Sequence, residues 1–279
     1  MKTQTFTANR DQQLSVFLKA NLLGAGFVFI RKVLKNKDVK INGVRVNRDV
    51  LVRASDTVQI YYPDDALKPW QPYRLVWEDD NVAVVFKLQG IETSSPNTAN
   101  TLENLLGYTA VHRLDVNTEG LVIFAKHAAA ADELNTAFAN GQVEKTYQAL
   151  CFGELKKSPV TLSGYLDKDK DAGLVMITKE KQPGALPVKT VVEFIRPKGD
   201  YSLLQIRPLT GRTHQIRAHL ASIGLYIVGD GKYGNASLNR LYHQDKQCLC
   251  ATQIKFAFNP GSLLYYLNGR TFTAEPTFL

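Results

Sequence analysis

The sequence has no long apolar run and few cysteines. A membrane-spanning helix needs about 20 consecutive, mainly apolar residues, and no stretch of the chain comes near that length. The first ten residues also lack the apolar segment of a secretion signal. The three cysteines form an odd set without framework spacing, which is typical of a reducing compartment. We therefore expect a cytoplasmic protein that does not work in a membrane.

The common motifs of cofactor and metal sites are missing or stand in the wrong context. Residues 229–234 have the glycine spacing of a dinucleotide-binding loop, but they belong to no strand–helix–strand unit and no suitable acidic residue follows them. Cys248, Cys250 and His243 have no second pair of ligands at the spacing of a structural zinc site, which favours buried or idle thiols. No P-loop and no G-x-S-x-G elbow occurs. We predict no cofactor and no metal.

Positive charge is concentrated in the first quarter of the chain. The formal net charge is +8, and residues 1–72 contain 12 lysines and arginines against 6 aspartates, whereas the remainder contains 22 against 20 acidic residues. A small basic module on a nearly neutral body is typical of a protein whose module binds a polyanion while the body acts on it. The alternative is a basic surface that serves only solubility.

The basic module is predicted to contain two helices followed by a small sheet. Apolar residues recur at helical spacing over residues 14–22, where Asp11 is placed to cap the helix, and a second helix is predicted from Phe27 to Leu34. Asn42-Gly43 between two short apolar runs predicts a tight hairpin, because these residues readily adopt left-handed conformations. Another strand is predicted from Thr57 to Tyr61.

This arrangement resembles the alpha-L RNA-binding domain of a ribosomal small-subunit protein and of many RNA-modifying enzymes. The resemblance is carried by Arg31-Lys32-Val33-Leu34, Val39-Lys40-Ile41-Asn42-Gly43 and Val46-Asn47. It implies a domain over residues 1–62 that binds RNA phosphates without reading bases. The predicted contacts are cations on neighbouring turns of the second helix: Arg31, Lys32 and Lys35. The proline-containing segment 63–72 is predicted to be a linker.

Residues 73–279 are predicted to form a larger domain of the α+β class. Helices are predicted over residues 128–138 and 213–222, while strand patterns recur through the rest. Many strands with few helices between them imply a mixed, mainly antiparallel sheet rather than repeated βαβ units. The polar, turn-rich segment 92–101 is predicted to be a mobile flap over a site. The strand patterns cover residues 75–87 (strand, turn, strand), 121–125, 146–152, 161–166, 173–178, 188–195 and 201–207.

Residues 111–126 contain the densest cluster of polar side chains. A charged loop with Arg113 and Asp115 runs directly into an apolar strand, and Gly120 at the junction is placed where the backbone needs an unusual conformation or a close approach. A carboxylate beside a cation, on a loop anchored by a rigid strand, is a common way to hold a reactive group. An ordinary surface ion pair between Arg113 and Asp115 is the alternative.

A second cluster occupies residues 211–220. Thr213 is predicted to open a helix, which leaves Arg212 at its mouth and turns Ile216 and Leu220 toward the core. Taken alone, this cluster is equally typical of a basic helix packed on its apolar side. The presence of the first cluster favours a site.

Four blocks of the larger domain resemble the RluA-type pseudouridine synthases in residues and in order. The blocks are His112-Arg113-Leu114-Asp115 with Thr118 and Gly120-Leu121; Glu144-Lys145-Thr146-Tyr147; Gly211-Arg212-Thr213-His214-Gln215-Ile216-Arg217-Ala218-His219-Leu220; and Ile227-Val228-Gly229-Asp230 with Tyr233-Gly234. They span residues 111–234, and the family's catalytic domain would cover about 73–279. The basic amino-terminal module is similar to that of family members that modify ribosomal RNA.

The resemblance implies isomerisation of uridine in RNA, in which the base leaves its sugar, turns and rejoins through its fifth carbon. Asp115 matches the family's catalytic aspartate, which either attacks the anomeric carbon or removes a sugar proton. Arg212 is carried over as its ion-pair partner, which would lower the pKa of Asp115. Tyr147 is carried over as the residue that packs against uracil and could relay a proton.

RNA contacts follow from the same resemblance and from the chemistry of the side chains. Arg113 is expected to fill the stack that the flipped uridine leaves, and His112 is assigned first to loop structure. Lys126, Arg217 and Lys232 are candidate contacts to the RNA backbone.

The chain departs from the family at three positions and leaves other functions open. Leu88 stands where a proline follows the lysine, Glu119 replaces serine or threonine, and Cys250 replaces a late histidine. Glu119 adds negative charge near the site and is expected to affect substrate choice or flap geometry. The alternatives are a non-catalytic RNA-binding or ribosome-assembly factor, and an N-glycoside hydrolase with Asp115 and Glu119 as paired carboxylates. We expect a monomer that acts on large-subunit ribosomal RNA, with transfer RNA as the second choice.

Overall fold

The computed structural model describes residues 1–22, 25–64, 66–67, 71–96, 98, 100–169 and 173–279. The chain divides into two compact units, Met1–Gln71 and Pro72–Leu279. Within the described segments, no helix has both the length and the apolar character that a membrane crossing requires.

The amino-terminal unit contains two helices and a four-stranded antiparallel sheet. The sheet order is β1-β6-β3-β4, and β2 pairs with β5. Asn42 and Gly43 join β3 to β4 with φ angles of 48° and 84°, so the predicted tight hairpin is confirmed. The elements are β1 (Lys2–Thr7), β2 (Gln12–Gln13), α1 (Leu14–Asn21), α2 (Phe27–Lys35), β3 (Val39–Ile41), β4 (Val44–Val46), β5 (Leu51–Val52) and β6 (Thr57–Tyr62).

The two helices of this unit pack through their apolar sides, which leaves the cations of α2 exposed. Ile30, Val33 and Leu34 of α2 lie in one buried cluster with residues of α1. The predicted cap of α1 is wrong: Gln13 occupies the cap position and Asp11 instead accepts a hydrogen bond from Ala54 N at 2.8 Å. The reason is that Asp11 precedes the short strand β2, which pairs with β5 before the helix begins.

The carboxyl-terminal unit is built on one twelve-stranded sheet, and the predicted α+β class with a mixed, mainly antiparallel sheet is confirmed. Nine strands lie in the order β13-β12-β14-β15-β11-β17-β10-β8-β7, while β16 pairs with β11, β18 with β17 and β9 with β10. Among the described residues, all these pairs are antiparallel except β10 with β17. The strands are β7 (Tyr73–Glu78), β8 (Val82–Lys87), β9 (Thr109–Ala110), β10 (Glu119–Ala125), β11 (Val143–Phe152), β12 (Val160–Asp169), β13 (Leu174–Thr178), β14 (Leu186–Lys198), β15 (Tyr201–Pro208), β16 (Tyr226–Ile227), β17 (Leu249–Phe256) and β18 (Thr271–Thr273). The helices are α3 (Leu102–Leu106), α4 (Ala128–Ala139), α5 (Gln215–Ser222) and α6 (Ala236–Leu241), with a 3₁₀ turn at Tyr265–Leu267.

Strand β10 is buried on both faces because a different helix covers each face. Leu121 and Ile123 belong to the apolar cluster that contains α4, whereas Val122 and Phe124 belong to the cluster that contains α5. This alternation follows from the two-residue period of a strand. Strand β10 is therefore part of the rigid core, and the loop that precedes it is anchored there.

Gly120 lies at the start of this strand, where the close approach of β17 requires a glycine. Its φ is 119°, and a Cβ at this position would collide with the backbone of Ala251. The prediction of an unusual conformation or a close approach is confirmed.

Parts of the predicted linker and flap lie outside the described residues. These are positions 65 and 68–70 of the linker and positions 97 and 99 of the flap. Of the described flap residues, Glu92 and Thr101 form a β-bridge.

Candidate active site

A cavity of about 630 Å³ lies where the loop before β10, strand β11 and the segment before α5 meet. Its volume falls within the range of about 300–1,000 Å³ that is usual for small-molecule sites. Both polar clusters of the sequence contribute to it. Its charged and polar lining includes His112, Arg113, Asp115, Thr118, Lys145, Tyr147, Arg212, His214, Gln215 and Arg217.

The loop that carries Asp115 is fixed by hydrogen bonds to the segment that follows β8. Thr118 N donates to Asp115 O at 3.0 Å, which closes the turn. The Thr93 hydroxyl donates to Leu114 O at 3.2 Å and accepts from Leu114 N at 3.1 Å. The backbone around Asp115 is therefore held on both sides.

Lys87, at the end of β8, also holds this loop through hydrogen bonds of its side chain. Its side chain is fully buried, and its Nζ donates to the carbonyls of Leu88 at 3.0 Å, Ile91 at 2.9 Å and Val116 at 2.9 Å. Three carbonyls match the three N–H groups of an ammonium. Burial lowers the pKa of Lys87 to about 7, although the nearby carboxylates of Asp115 and Glu119 act in the opposite direction.

Arg217 on α5 joins Asp115 to a second, fully buried carboxylate. Its Nη1 lies 2.9 Å from Asp115 Oδ2, while Nε and Nη2 lie 2.7 Å and 2.8 Å from the two oxygens of Asp230. Asp230 Oδ1 also accepts from the backbone N–H groups of Lys232 and Tyr233. Burial opposes the charge of Asp230, but its bonds to Arg217 hold its pKa below the usual value.

This geometry corrects two predicted roles. The sequence predicts that Arg212 pairs with Asp115 and that Arg217 contacts the RNA backbone. In the structure Arg217 is buried and paired with Asp115, whereas Arg212 is an exposed residue at the rim of the cavity. The helix α5 begins at Gln215 rather than at Thr213, after His214 in a left-handed conformation, so Arg212 lies outside the helix and Arg217 lies within it.

His214 lies beside the Asp115–Arg217 pair in a left-handed conformation, with φ of 55°. Its Nε2 is 3.9 Å from Asp115 Oδ2, and its Nδ1 is 3.0 Å from the hydroxyl of Tyr233. That hydroxyl accepts a hydrogen bond from Val175 N at 2.8 Å. Burial lowers the pKa of His214, against the influence of the Asp115 charge. Arg217 donates to Asp115 Oδ2, and no described residue donates a hydrogen bond to Asp115 Oδ1.

Tyr147 lines the cavity from β11, next to an irregularity in the sheet. The register between β11 and β17 shifts between Thr146 and Tyr147, so that Thr252 is an extra residue in the partner strand. Tyr147 is buried, and its burial, together with the charge of Asp115, raises the pKa of its hydroxyl.

His112 has the structural position that the sequence predicts. Its Nε2 accepts a hydrogen bond from Ile123 N at 3.0 Å, and its ring lies 4.8 Å from that of Phe138. Burial lowers the pKa of His112 to about 3, and the charge of Lys145 adds to this effect. The imidazole is therefore neutral at physiological pH.

The other predicted RNA contacts are distributed unevenly. Arg113 is exposed and lines the cavity. Lys126 is bound to Glu78 at 2.8 Å and to Asp79 O at 2.8 Å and does not line the cavity, and its contact to the RNA backbone stays a prediction. Lys232 is exposed, and its Nζ lies 3.4 Å from Gly173 O. The three predicted cations of the amino-terminal unit are exposed on α2: Arg31, Lys32 and Lys35.

Glu119, the departure that suggested paired carboxylates, is directed away from the cavity. It is buried, and its two oxygens accept hydrogen bonds from the N–H and the hydroxyl of Thr277, each at 2.7 Å. Its neighbour across the sheet is Cys250, which is buried as well. Glu119 therefore connects β10 to the carboxyl-terminal segment.

Several residues of the site have no role that the sequence alone assigns. Lys145, His214 and Asp230 lie within the four blocks, yet their spacing alone does not tell which of them faces Asp115. Asp230 follows Gly229, whose φ of 73° marks a tight turn. A lysine with apolar neighbours, such as Lys87 at the end of the buried run 82–86, is a signal for a buried ammonium.

Comparison with known proteins agrees with this fold. The family model described as RNA pseudouridylate synthase matches residues 81–222. The ribosomal large subunit pseudouridine synthase D of Borreliella burgdorferi is 30% identical over 80% of this chain and 76% of its own length. The mitochondrial tRNA pseudouridine(32) synthase of Saccharomyces cerevisiae is 30% identical over 74% of this chain and 47% of its own length. The solved structure of human RNA pseudouridylate synthase domain containing 1 superposes with a TM-score of 0.63, at 25% identity, over 74% of this chain and 84% of that one.

Fold, site and sequence together define an enzyme that isomerises a nucleoside within RNA. The chain belongs to the RNA pseudouridylate synthase family, and within it to the RluA type. It is therefore an RNA pseudouridine synthase.

Proposed function

We propose that Asp115 is the catalytic residue with which this chain converts a uridine of large-subunit ribosomal RNA to pseudouridine. The observation that carries the proposal is the chain of contacts Asp115–Arg217–Asp230 at the cavity. It holds one oxygen of the carboxylate in place and leaves Oδ1 for the substrate. Fixed geometry of this kind is what a nucleophile or a base requires.

The reaction needs neither an oxidant nor a reductant. The bond between the anomeric carbon and N1 breaks, the bond between that carbon and C5 forms, the proton on C5 leaves and N1 gains a proton. Asp115 serves either as the nucleophile at the anomeric carbon or as the base for a sugar proton. Both routes use the free oxygen, and in both Arg217 stabilises the carboxylate before and after the transfer.

Tyr147 and Arg113 are proposed to handle the base once it leaves the RNA stack. Flipping a uridine costs a few kcal/mol of stacking, which stacking on the Tyr147 ring partly recovers. Arg113 is exposed at the same cavity and has a planar group that can fill the vacated stack. Arg212, at the rim, is assigned to the RNA backbone rather than to Asp115.

The amino-terminal unit is proposed to bind RNA through phosphates, as an alpha-L domain over residues 1–62 joined by a linker at 63–72 to the catalytic domain at 73–279. Three exposed cations on one helix support this role. Lys40 and Arg45 add to them, with Nζ and Cζ at 5.4 Å and 5.6 Å from the centre of the Tyr61 ring. We propose a cytoplasmic monomer, and ribosomal RNA before transfer RNA because of this basic unit.

The alternative of an N-glycoside hydrolase requires a second carboxylate beside Asp115 in the cavity. A retaining or inverting glycosidase places two carboxyl groups on either side of the bond that breaks. Glu119 is committed to Thr277, and among the described residues that line the cavity Asp115 is the sole acid. Release of free uracil is therefore not expected.

The test is to map pseudouridine on unmodified ribosomal and transfer RNA after incubation with the parent chain or with Asp115→Ala. Carbodiimide-blocked primer extension is expected to give a stop with the parent and none with the variant, while the variant keeps its affinity for RNA. Asn117→Ala in the same loop serves as the control and is expected to retain the stop. Activity in Asp115→Ala would defeat the assignment of the residue, and a stop on transfer RNA alone would defeat the ribosomal target.

A further inference from the structure

Lys145 is a cation that faces the cavity without a counter-charge among the described residues. It lies two residues before Tyr147 on β11, and both side chains line the cavity because residues two apart share a face of a strand. Its ammonium sits 5.3 Å from the centre of the Phe138 ring. It also lies next to Gly211 in the segment before α5, where a Cβ would lie 3.6 Å from Nζ, at ordinary van der Waals distance.

No acceptor compensates the charge within the described part of the chain. The fully buried Lys87 has three carbonyl partners, whereas Lys145 is half-buried and its partial burial lowers its pKa. The ring of Phe138 offers a cation–π contact, which is a partial substitute. Asp115 is the sole acid among the described lining residues, and it is bound to Arg217. A half-buried cation without a counter-charge is further stabilised by a ligand that brings negative charge.

We propose that Lys145 binds a non-bridging oxygen of a phosphodiester next to the flipped uridine. The proposal rests on the proposed function, because it takes RNA as the ligand of this cavity. A phosphodiester supplies the missing anion, and a charge-assisted hydrogen bond to it is among the stronger polar contacts. The uracil ring is neutral and does not supply that charge. Arg113 and Arg212 are exposed at the same cavity and extend the positive surface along the RNA strand.

The experiment measures binding in full-length Asp115→Ala, so that turnover does not interfere. The probes are an RNA hairpin with one unpaired uridine and versions of it in which a single phosphodiester, on the 5′ or the 3′ side of that uridine, is a neutral methylphosphonate. Adding Lys145→Met is expected to weaken binding of the all-phosphate hairpin about tenfold. For one methylphosphonate hairpin this substitution is expected to make no difference. Lys145→Arg is expected to restore most of the affinity for the all-phosphate hairpin.

The control is Lys255→Met, which removes an exposed lysine of β17 that does not line the cavity and is expected to leave every affinity unchanged. An equal loss with all hairpins, or no loss with any, would overturn the proposal. Circular dichroism of Lys145→Met is compared with the parent so that unfolding is detected. The outcome is separate from the proposed function: absence of pseudouridine with the parent chain would remove the assigned reaction, while the binding cycle would still report the phosphate contact.

Discussion

At Arg217 a single guanidinium binds two carboxylates. Nη1 donates a hydrogen bond to Asp115, and Nε and Nη2 donate to the two oxygens of Asp230 in a bidentate contact. A lysine has one ammonium at the end of a flexible stem and cannot reproduce both contacts in a fixed geometry. Asp230 is therefore a positioning residue. It fixes the guanidinium of Arg217, and that guanidinium fixes the carboxylate of Asp115.

We expect Arg217→Lys to lower kcat/KM by about 100-fold or more, because an arginine clamp contributes on the order of 3 kcal/mol. Arg212→Lys is the matched control within the same segment and is expected to change kcat/KM less than about threefold, since its exposed charge is kept. Single-turnover kinetics on RNA with a mapped target measures both. If the two variants lose activity equally, the pairing of Asp115 with Arg217 has no special part in catalysis.

The histidine beside this pair is oriented by a tyrosine. A neutral imidazole with its lone pair toward the Asp115 carboxylate would be repelled, so Nε2 carries the proton and Nδ1 is the acceptor. Tyr233 then donates its hydroxyl proton to Nδ1 while accepting from Val175 N. The left-handed backbone of His214 costs on the order of 1–3 kcal/mol, and residues held in this way are found mainly at functional sites.

Tyr233→Phe is expected to lower kcat about tenfold and to leave KM nearly unchanged, because the imidazole loses the partner that fixes its tautomer. The matched control is Tyr266→Phe, which removes a hydroxyl that donates to Asp79 and does not line the cavity. Steady-state kinetics of the two variants on one RNA measures the split between kcat and KM. A rise in KM at constant kcat would show that Tyr233 serves RNA binding instead.

Helices and turns that depend on a local sequence pattern can be predicted from the sequence. Features that depend on contacts with residues far away in the sequence cannot. The β3–β4 hairpin, α2 and α4 follow from turn residues and apolar spacing, and both helices end one residue later than predicted. The predicted cap of α1 is wrong, because Ser15 is held by Asp49 and Asp11 by Ala54. These partners lie 34 and 43 residues away and leave no trace in the local sequence.

The same limit explains the candidate site. Asp115 and Tyr147 are identifiable because each stands in a block with a fixed neighbour pattern. Arg212 and Arg217 lie in one block but on opposite sides of the left-handed residue His214, so that α5 begins at Gln215 and includes only Arg217. Residue types and spacing do not specify that conformation, so the prediction exchanges the two arginines.

Lys87 connects β8 to the loop of Asp115, and its replacement is expected to loosen that connection. Lys87→Met leaves three carbonyls without their donor, which we expect to destabilise the chain by about 2–4 kcal/mol. Urea unfolding measures the difference, and the exposed Lys255→Met is expected to stay within about 0.5 kcal/mol of the parent.

The pH dependence of that difference has a definite sign. The pKa of Lys87 is about 7 in the folded chain and about 10.4 when unfolded. The unfolded chain therefore binds more protons between about pH 7 and 10, and the parent gains stability with rising pH in that window. Lys87→Met lacks this gain, so the gap between the two proteins is expected to widen by about 2 kcal/mol from about pH 7 to 9. A constant gap would mean that Lys87 keeps its charge throughout.

At the scale of the whole molecule, charge and chemistry are divided between the two compact units. The unit Met1–Gln71 carries the exposed cations of α2, whereas the unit Pro72–Leu279 contains the cavity and its lining. Electrostatic attraction to phosphates acts over a long range and depends on the salt concentration, while the chemical step depends on contacts of about 3 Å inside the cavity. The two functions should therefore separate in experiment.

Neutralising Lys32 and Lys35 with glutamine in the full chain is expected to weaken binding to large ribosomal RNA fragments and to leave the single-turnover rate at saturating RNA unchanged. If each lysine meets one phosphate, the slope of log K against log salt should fall by about 0.9 per contact, or nearly 2 in all. A short hairpin that reaches only the cavity is the control substrate, and its affinity should not change. Deleting residues 1–71 is expected to act in the same direction and more strongly.

Equal affinity of the parent and both altered chains for the large fragment would show that the basic unit does not bind RNA. A slower chemical step with unchanged affinity would instead place its role in the fold of the catalytic unit.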